Sequence, residues 1–346
     1  MRLALAYTAL ALSALSTSAC NNQGAEDQAP AQAAAVGSAA ASNAAAAPSA
    51  SAAQPDAEGV QLASLGSCSP ACDSLQRCEA KGAEARCVSQ CPAGTVYIPA
   101  TGPDGFQMGS GAPGSDDQKH QVVLTKPFCM DATEVTVAAY RACVTAGKCT
   151  VPQLRDINAN YRDQYHRPNH PVNMVNYKQS QAYCEAQGMS LPTEAQWEYA
   201  ASRGDGRKYP WGNEPEPTCE NGYADFTPGG SQHEDPAGDV GCHGGGTSEV
   251  KAHPLGKVSW PDGDLYDMGG NLWEWTLDCF VPYPRGRVID PKPSSHPNLK
   301  GGCYVYSLRG GGWNRSTYSM RTFSRAASKL TYRVPALGFR CVKNAE

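Results

Sequence analysis

The abundance of glycine and proline restricts the possible folds of this chain more than any other feature. Its 346 residues include 35 glycines and 26 prolines. Glycine increases the entropy that folding must overcome, and proline interrupts both helices and strand ladders. Long helices and wide regular sheets are therefore disfavoured. We predict a mixed fold of low regular content, in which irregular segments surround aromatic side chains.

The first 60 residues are typical of an export signal followed by a tether. Residues 1–19 contain an apolar run that is too short to cross a bilayer as a mature helix, which indicates a signal peptide. Small residues precede Cys20, as in bacterial lipoproteins whose cysteine is acylated, although Thr17 stands where leucine is usual. We predict a lipid anchor at Cys20 and a location in the bacterial periplasm or on the outer surface, with simple secretion as the alternative. Residues 20–60 lack apolar bulk and are predicted to be a disordered tether.

Fifteen cysteines in an exported chain indicate disulfide bonds. Five of them fall within residues 61–91, a stretch poor in apolar side chains, and we predict a small disulfide-rich knob there. Spacing does not fix the connectivity; one possibility is Cys68 with Cys78 and Cys72 with Cys87, leaving Cys91 to pair elsewhere. The net charge is only −4 and the basic residues are scattered, so nucleic acid is not an expected partner.

Residues 92–346 are predicted to form one domain that contains three helices. The first follows Thr136, a suitable N-cap, and ends near Gly147; the second covers residues 178–187. The third begins at Thr193, which has Gln196 three residues later in a capping-box relation. Short strands are predicted at residues 96–99 and 121–124.

A series of motifs in this domain resembles one known family. The two longest are LPTEAQWEYAA at residues 191–201 and YDMGGNLWEW at residues 266–275; shorter ones include RGGGW at 309–313 and GFR at 338–340. In this order, over about 250 residues, they resemble the signatures of the formylglycine-generating (sulfatase-modifying) enzyme family. The resemblance implies an α+β domain related to C-type lectins, with little regular secondary structure, stabilised by disulfides and by bound calcium.

The resemblance also implies two calcium sites. In the first, Asp267 and Glu274 would supply carboxylates and Gly270 and Leu272 backbone carbonyl oxygens, the hard ligands that calcium prefers. A second site would fall near Asn221 and Gly222 with a later acidic residue, Asp239. The alternative for both is that these side chains only cap turns.

The catalytic cysteine pair of that family has no counterpart here. Family enzymes bind copper(I) through two cysteines spaced C-x4-C, whereas this chain has Arg315 and Met320 at those positions and Gly312 in place of an active-site serine. A guanidinium has no lone pair to give a metal. No cysteines in the chain have the C-x4-C spacing, so we expect neither copper nor formylglycine-generating activity.

Two functions are compatible with the resemblance. The first is a binding or scaffold module for an unknown peptide or small molecule, with a groove formed by Trp313, Arg315, Tyr318 and Arg321. The second is an oxidoreductase that uses non-cysteine chemistry, similar to the family's pyoverdine-maturation members. The other cysteines are expected to be structural, paired as Cys143–Cys149, Cys219–Cys242, Cys279–Cys303 and Cys129–Cys341, with Cys184 either free or bonded to Cys91.

Overall fold

The computed structural model describes residues 68, 71–81, 84–111, 117–229, 241–242, 244–293 and 303–345. The predicted signal peptide, the tether, Cys20 and Asp239 lie outside the described residues. No helix within the described ranges is both long enough and apolar enough to cross a membrane.

The first described element is a disulfide-linked hairpin. Strands β1 (Gln76–Lys81) and β2 (Glu84–Ser89) pair antiparallel, with Cys78 opposite Cys87. Disulfides join Cys68 to Cys78 and Cys72 to Cys87, the pairing considered from the sequence. Cys91 pairs with Cys129, and the Tyr97 hydroxyl donates a hydrogen bond to Asp73, so both links connect this hairpin to the strands that follow.

The remaining strands are short and form four small sheets, as a chain rich in glycine and proline should. One sheet has the order β14-β6-β3 and another β10-β5-β4; the largest has the order β12-β11-β9-β13, and β7 pairs with β8. The bounds are β3 Thr95–Ile98, β4 Phe106–Met108, β5 His120–Val123, β6 Phe128–Asp131, β7 Val258–Trp260, β8 Gly263–Leu265, β9 Trp273–Cys279, β10 Val288–Ile289, β11 Tyr306–Arg309, β12 Ala326–Ser328, β13 Leu337–Gly338 and β14 Val342–Asn344.

Three helices of nine or ten residues accompany these sheets: α1 (Val137–Thr145), α2 (Tyr177–Ala186) and α3 (Glu194–Ser202). Thr136 caps α1 by accepting a hydrogen bond from the Ala139 amide. The Thr193 hydroxyl accepts from the Gln196 amide while the Gln196 side chain accepts from the Thr193 amide, which is the predicted capping box. The α+β class with low regular content is therefore confirmed.

The core is aromatic and contains buried ion pairs. Trp197 of α3 and Trp275 of β9 are fully buried. Glu198, also on α3, pairs with Arg309, whose side chain is 0% exposed, and the Arg325 guanidinium pairs with Glu194 at 2.6 Å. Burying an unpaired charge costs several kcal/mol, so these pairs fix α3 against β11 and against Arg325, which directly precedes β12.

The disulfide prediction was partly wrong. The structure contains Cys143–Cys149, Cys219–Cys242 and Cys279–Cys303 as predicted, but it joins Cys184 to Cys341 instead of Cys129 to Cys341. Strand pairing places Lys343 opposite Cys129, which puts Cys341 two residues out of register with it. Cys341 bonds to α2 instead, and Cys184 is neither free nor bonded to Cys91.

Candidate functional site

The main candidate site is a cleft of about 530 Å³ next to the C-terminal glycine stretch. Strand β12 forms one wall and residues 332–337 form another, with Trp273 of β9 and Trp313 contributing aromatic surface. Arg315, Tyr332 and Arg333 are the large polar side chains of the lining. The cleft thus combines guanidinium and aromatic groups, the side chains enriched where proteins bind partners.

The backbone of the glycine stretch lies close to two other segments of the chain, one at Ser319 and one at Ala336. Gly311 has a φ of +77°, and a Cβ there would lie 2.9 Å from the Ser319 carbonyl carbon. A Cβ on Gly312 would lie 3.0 Å from the Ala336 Cβ, tighter than ordinary packing allows. A serine at position 312, which the family resemblance would lead one to expect, would therefore require the Ala336 segment to move.

Trp313, which forms part of the cleft wall, is held in place by packing and by a backbone hydrogen bond. Its side chain is mostly buried and clusters with Leu272 and Ala336. The Trp313 amide donates to the Asn271 carbonyl at 2.8 Å. The indole is consequently held in one position, and Trp313 offers the cleft a fixed surface.

The four residues of the predicted groove do not all meet. Trp313 and Arg315 line the cleft, whereas Tyr318 and Arg321 are not among its lining residues. The Arg321 guanidinium instead stacks over the Tyr318 ring, 4.5 Å from its centroid. Tyr332 and Arg333 were not predicted, because they enter the lining from a loop that carries no family motif.

The two positions predicted to correspond to the family's catalytic cysteines have separate environments here. Arg315 lies at the cleft, whereas Met320 is fully buried and clusters with Tyr209, Ala224 and Phe226. All fourteen cysteines of the described residues form disulfide bonds. The described part of the chain therefore offers no thiolate for copper(I).

A group of buried carboxylates surrounds the first predicted calcium site. Glu134, Asp267 and Glu274 are each at most 6% exposed. Burial, together with the nearby Glu274 and Asp225 carboxylates, raises the pKa of Asp267 to about 6, while the Lys251 amide and Arg340 oppose the rise. Burial also raises the pKa of Glu134 well above its usual value, and Asp267 and Glu274 add to that rise. Three buried carboxyl groups thus share the Arg340 guanidinium, and the raised pKa values of Glu134 and Asp267 favour the protonated, uncharged forms of these two groups.

Glu274 and Asp267 differ in how well each is placed to act as a metal ligand. The two Glu274 oxygens receive three contacts of 2.8–3.0 Å from Arg340 and one of 2.8 Å from the Trp197 indole. A carboxylate has about four acceptor positions, so Glu274 has none to spare in this arrangement. The Asp267 carboxylate accepts from the Lys251 amide through one oxygen, Oδ2, and so fits the role of a ligand better.

At the second predicted calcium site, Asn221 stabilises a turn. Its side-chain oxygen accepts from the Thr218 amide at 3.0 Å, and its amide group donates to the Glu216 carbonyl at 2.9 Å. Gly222 follows with a φ of +68°. This is the turn-capping alternative considered from the sequence, and calcium binding at Asn221 and Gly222 stays a prediction.

Comparisons with known proteins agree with the resemblance seen in the motifs. Residues 81–345 match the family described as the sulfatase-modifying factor enzyme 1-like domain. The formylglycine-generating enzyme of Bos taurus is 37% identical over 183 residues, which is 51% of this chain and 44% of that protein. The chain thus spans less than half the length of this relative.

Two further comparisons concern an inactive relative and a solved structure. The inactive Cα-formylglycine-generating enzyme 2 of Bos taurus is 33% identical over 178 residues, covering 51% of this chain and 50% of that protein. The structure of PvdO from Pseudomonas aeruginosa superposes with a TM-score of 0.51 at 22% identity, covering 72% of this chain and 94% of PvdO. At that identity, the likeness to PvdO concerns the fold alone.

Proposed function

Because this chain belongs to the sulfatase-modifying factor enzyme 1-like family, we propose that it is a member without formylglycine-generating chemistry that binds a ligand in the cleft lined by Trp313 and Arg315. The observation that carries the proposal is the lack of a free cysteine thiol among the described residues. All fourteen cysteines of the described residues are in disulfides, and the family's cysteine positions hold Arg315 and Met320. One bovine relative is itself named an inactive enzyme, so the family includes such members.

The cleft supports binding because its lining combines a rigid wall with adaptable polar groups. Trp313 is anchored through its backbone and by packing. Because this side chain is already ordered, ligand binding costs less conformational entropy. Arg315, Arg333 and Tyr332 supply donors and a ring, and two guanidiniums against one lining carboxylate, Asp156, favour a ligand that carries negative charge. A peptide or a small anionic molecule fits this description.

A phage-displayed peptide library tests the groove. We expect peptides selected on the wild-type protein to bind the R315A/Y332A variant about tenfold or more weakly, because Arg and Tyr anchors typically contribute over 1 kcal/mol each. The matched control is R321A/Y318A, which removes the same two residue types outside the cleft; Tyr318 and Tyr332 are 42% and 40% exposed. Peptides that bind all three proteins equally, or a failure to select any peptide, would count against the cleft as a binding site.

The proposed setting is the surface of a membrane. The apolar run before Cys20 and the small residues beside it support export and acylation, and the Ala- and Ser-rich residues 20–60 would let the domain extend from the membrane. We expect a radiolabelled fatty acid to be incorporated into the wild-type protein in a bacterial host and not into C20A. Equal labelling of both proteins would place the lipid on another residue, and no labelling of the wild type would exclude acylation.

We also propose that the domain binds calcium at Asp267, supported by the buried carboxyl groups of Glu134 and Asp267, which offer the hard oxygen ligands that calcium prefers. Elemental analysis should find calcium, and a chelator should lower the midpoint of thermal unfolding by several degrees in the wild type but not in D267N. Absence of calcium and no response to the chelator would refute this site. Stoichiometric copper or iron would instead favour the oxidoreductase alternative.

A further inference from the structure

A second cleft, of about 670 Å³, lies beside helix α1 and has a different lining from the first. We call it the basic cleft. Its floor consists of small side chains on one face of α1, Ala138, Ala142 and Thr145, all exposed. Its polar lining comes from Arg141 of the same helix and from the following loop, which contributes Arg162, Asp163, His166 and Arg167.

Two tyrosine rings hold the three guanidiniums of the basic cleft in place. The Arg141 guanidinium lies over the Tyr161 ring at 4.3 Å from its centroid. Arg162 and Arg167 lie over the Tyr165 ring at 5.4 and 5.0 Å. Stacking covers the faces of the guanidiniums and leaves their N–H groups at the edges, so these arginines are ordered before any ligand arrives.

Hydrogen bonds to the protein fix the arginines further without using all of their donors. Arg141 donates to the Asp163 carboxylate at 2.6 Å and to the Tyr161 carbonyl at 2.9 Å. Arg167 donates through Nη1 to the side-chain oxygen of Asn160, a buried residue, at 2.9 Å. Each guanidinium has five N–H donors, so the bonds to described residues leave most of them available.

The charges of the basic cleft are not balanced. Among its lining residues, three guanidiniums face one carboxylate, that of Asp163, whose side chain is 87% exposed. Two positive charges therefore lack a partner in the lining. A phosphate monoester carries nearly two negative charges at pH 7 and three acceptor oxygens, whereas a carboxylate or a sulfate ester carries one charge.

We propose that the basic cleft binds a phosphate monoester, with the phosphate between Arg141, Arg162 and Arg167 and the rest of the ligand over the small side chains of α1. Guanidiniums match phosphate oxygens in bidentate geometry, and the alanine floor leaves room for a non-ionic group. The site is separate from the proposed function, because none of its lining residues lines the cleft that contains Trp313.

Calorimetry on the purified full chain, with inorganic phosphate and glycerol 3-phosphate as probes, tests this proposal. Both should bind, and methyl sulfate, a sulfate ester with one negative charge, should bind more weakly at the same ionic strength. Vesicles containing phosphatidic acid, a lipid phosphomonoester, distinguish a lipid source from a soluble one: binding to glycerol 3-phosphate without binding to vesicles identifies a soluble ligand, and tighter binding to vesicles identifies a lipid headgroup.

Three variants decide whether the basic cleft is responsible. R141Q/R167Q should bind glycerol 3-phosphate at least about tenfold more weakly, while R77Q/R86Q, which removes two exposed arginines from the β1–β2 hairpin, should bind as the wild type does. D163N should bind more tightly, because it removes the one opposing negative charge and weakens the hydrogen bond that occupies an Arg141 donor. No binding of either soluble probe at millimolar concentration, or equal weakening by the two double variants, would overturn the proposal. Circular dichroism verifies that each variant is folded.

Discussion

Replacing Arg340 by methionine should lower the free energy of unfolding by about 3–5 kcal/mol, the usual cost of leaving one member of a buried ion pair without its partner. Arg340 and Glu274 are both 0% exposed, and the guanidinium contacts both carboxylate oxygens. It also donates to the Asp131 and Tyr266 carbonyls at 3.1 and 2.9 Å. Methionine would fill much of the space but remove every one of these donors, leaving the Glu274 carboxylate with the Trp197 indole alone. Chemical denaturation of both proteins measures the difference.

A double variant separates the charge from the packing. R340M/E274Q removes the uncompensated carboxylate, so we expect it to be more stable than R340M alone although still weaker than the wild type. Arg333 to methionine is the half-buried control, because Arg333 bonds only to Gln179 and the Thr331 carbonyl among the described residues; its effect should stay below about 1 kcal/mol. An R340M protein as stable as the wild type would show that the buried pair is not what stabilises this part of the core.

Removing the Cys184–Cys341 disulfide should cost about 4–5 kcal/mol, measured on C184A/C341A. The bond closes a loop of 157 residues, and restricting so long a loop in the unfolded chain has a large entropic effect. The two cysteines are fully buried between α2 and the segment that precedes β14, so alanine also leaves a small cavity. The loss is comparable to the whole stability of many domains, and we expect poor folding at 37 °C.

The short Cys143–Cys149 disulfide is the matched control. Its loop contains only six residues, so C143A/C149A should cost about 2 kcal/mol by the same entropy argument. A reversed order of the two variants would mean that native-state packing, and not loop closure, determines the contribution of these bonds.

Local signals in the sequence predicted the helices well because helix ends are stabilised by nearby residues. Thr136 and Thr193 cap α1 and α3 as predicted, since each hydroxyl reaches an amide three residues later. The strand predicted at residues 121–124 lies within one residue of β5, His120–Val123. Strand partners, in contrast, depend on distant parts of the chain, and nothing in the sequence indicated that β10 would pair parallel with β5.

The cysteine pairing depends on strand register, which the spacing of cysteines in the sequence does not reveal. Cys129 and Cys341 lie on or beside neighbouring strands, so pairing the two ends of the domain was reasonable, but a shift of two residues in register separates them. The same applies to the buried ion pairs. Glu274 and Arg340 stand in recognisable motifs, yet only the packing of β9 against the C-terminal segment reveals that they meet.

The lining of the cleft was predictable only in part, because some of it comes from a segment that is distant in sequence. Trp313 and Arg315 follow directly from the glycine stretch, whereas Tyr332 and Arg333 reach the cleft from a loop without a motif. Tyr318 and Arg321 were assigned to the groove because they are near in sequence. The structure instead stacks them on each other.

The most direct test of the central claim is mass spectrometry of a sulfatase-type cysteine peptide after incubation with the purified protein, copper(I) and oxygen. We predict that the cysteine remains unmodified, because the described residues present no free thiolate and Arg315 and Met320 replace the family's cysteine pair. An active family enzyme treated identically serves as the positive control. Enzyme-dependent conversion of the peptide cysteine to formylglycine would contradict the account.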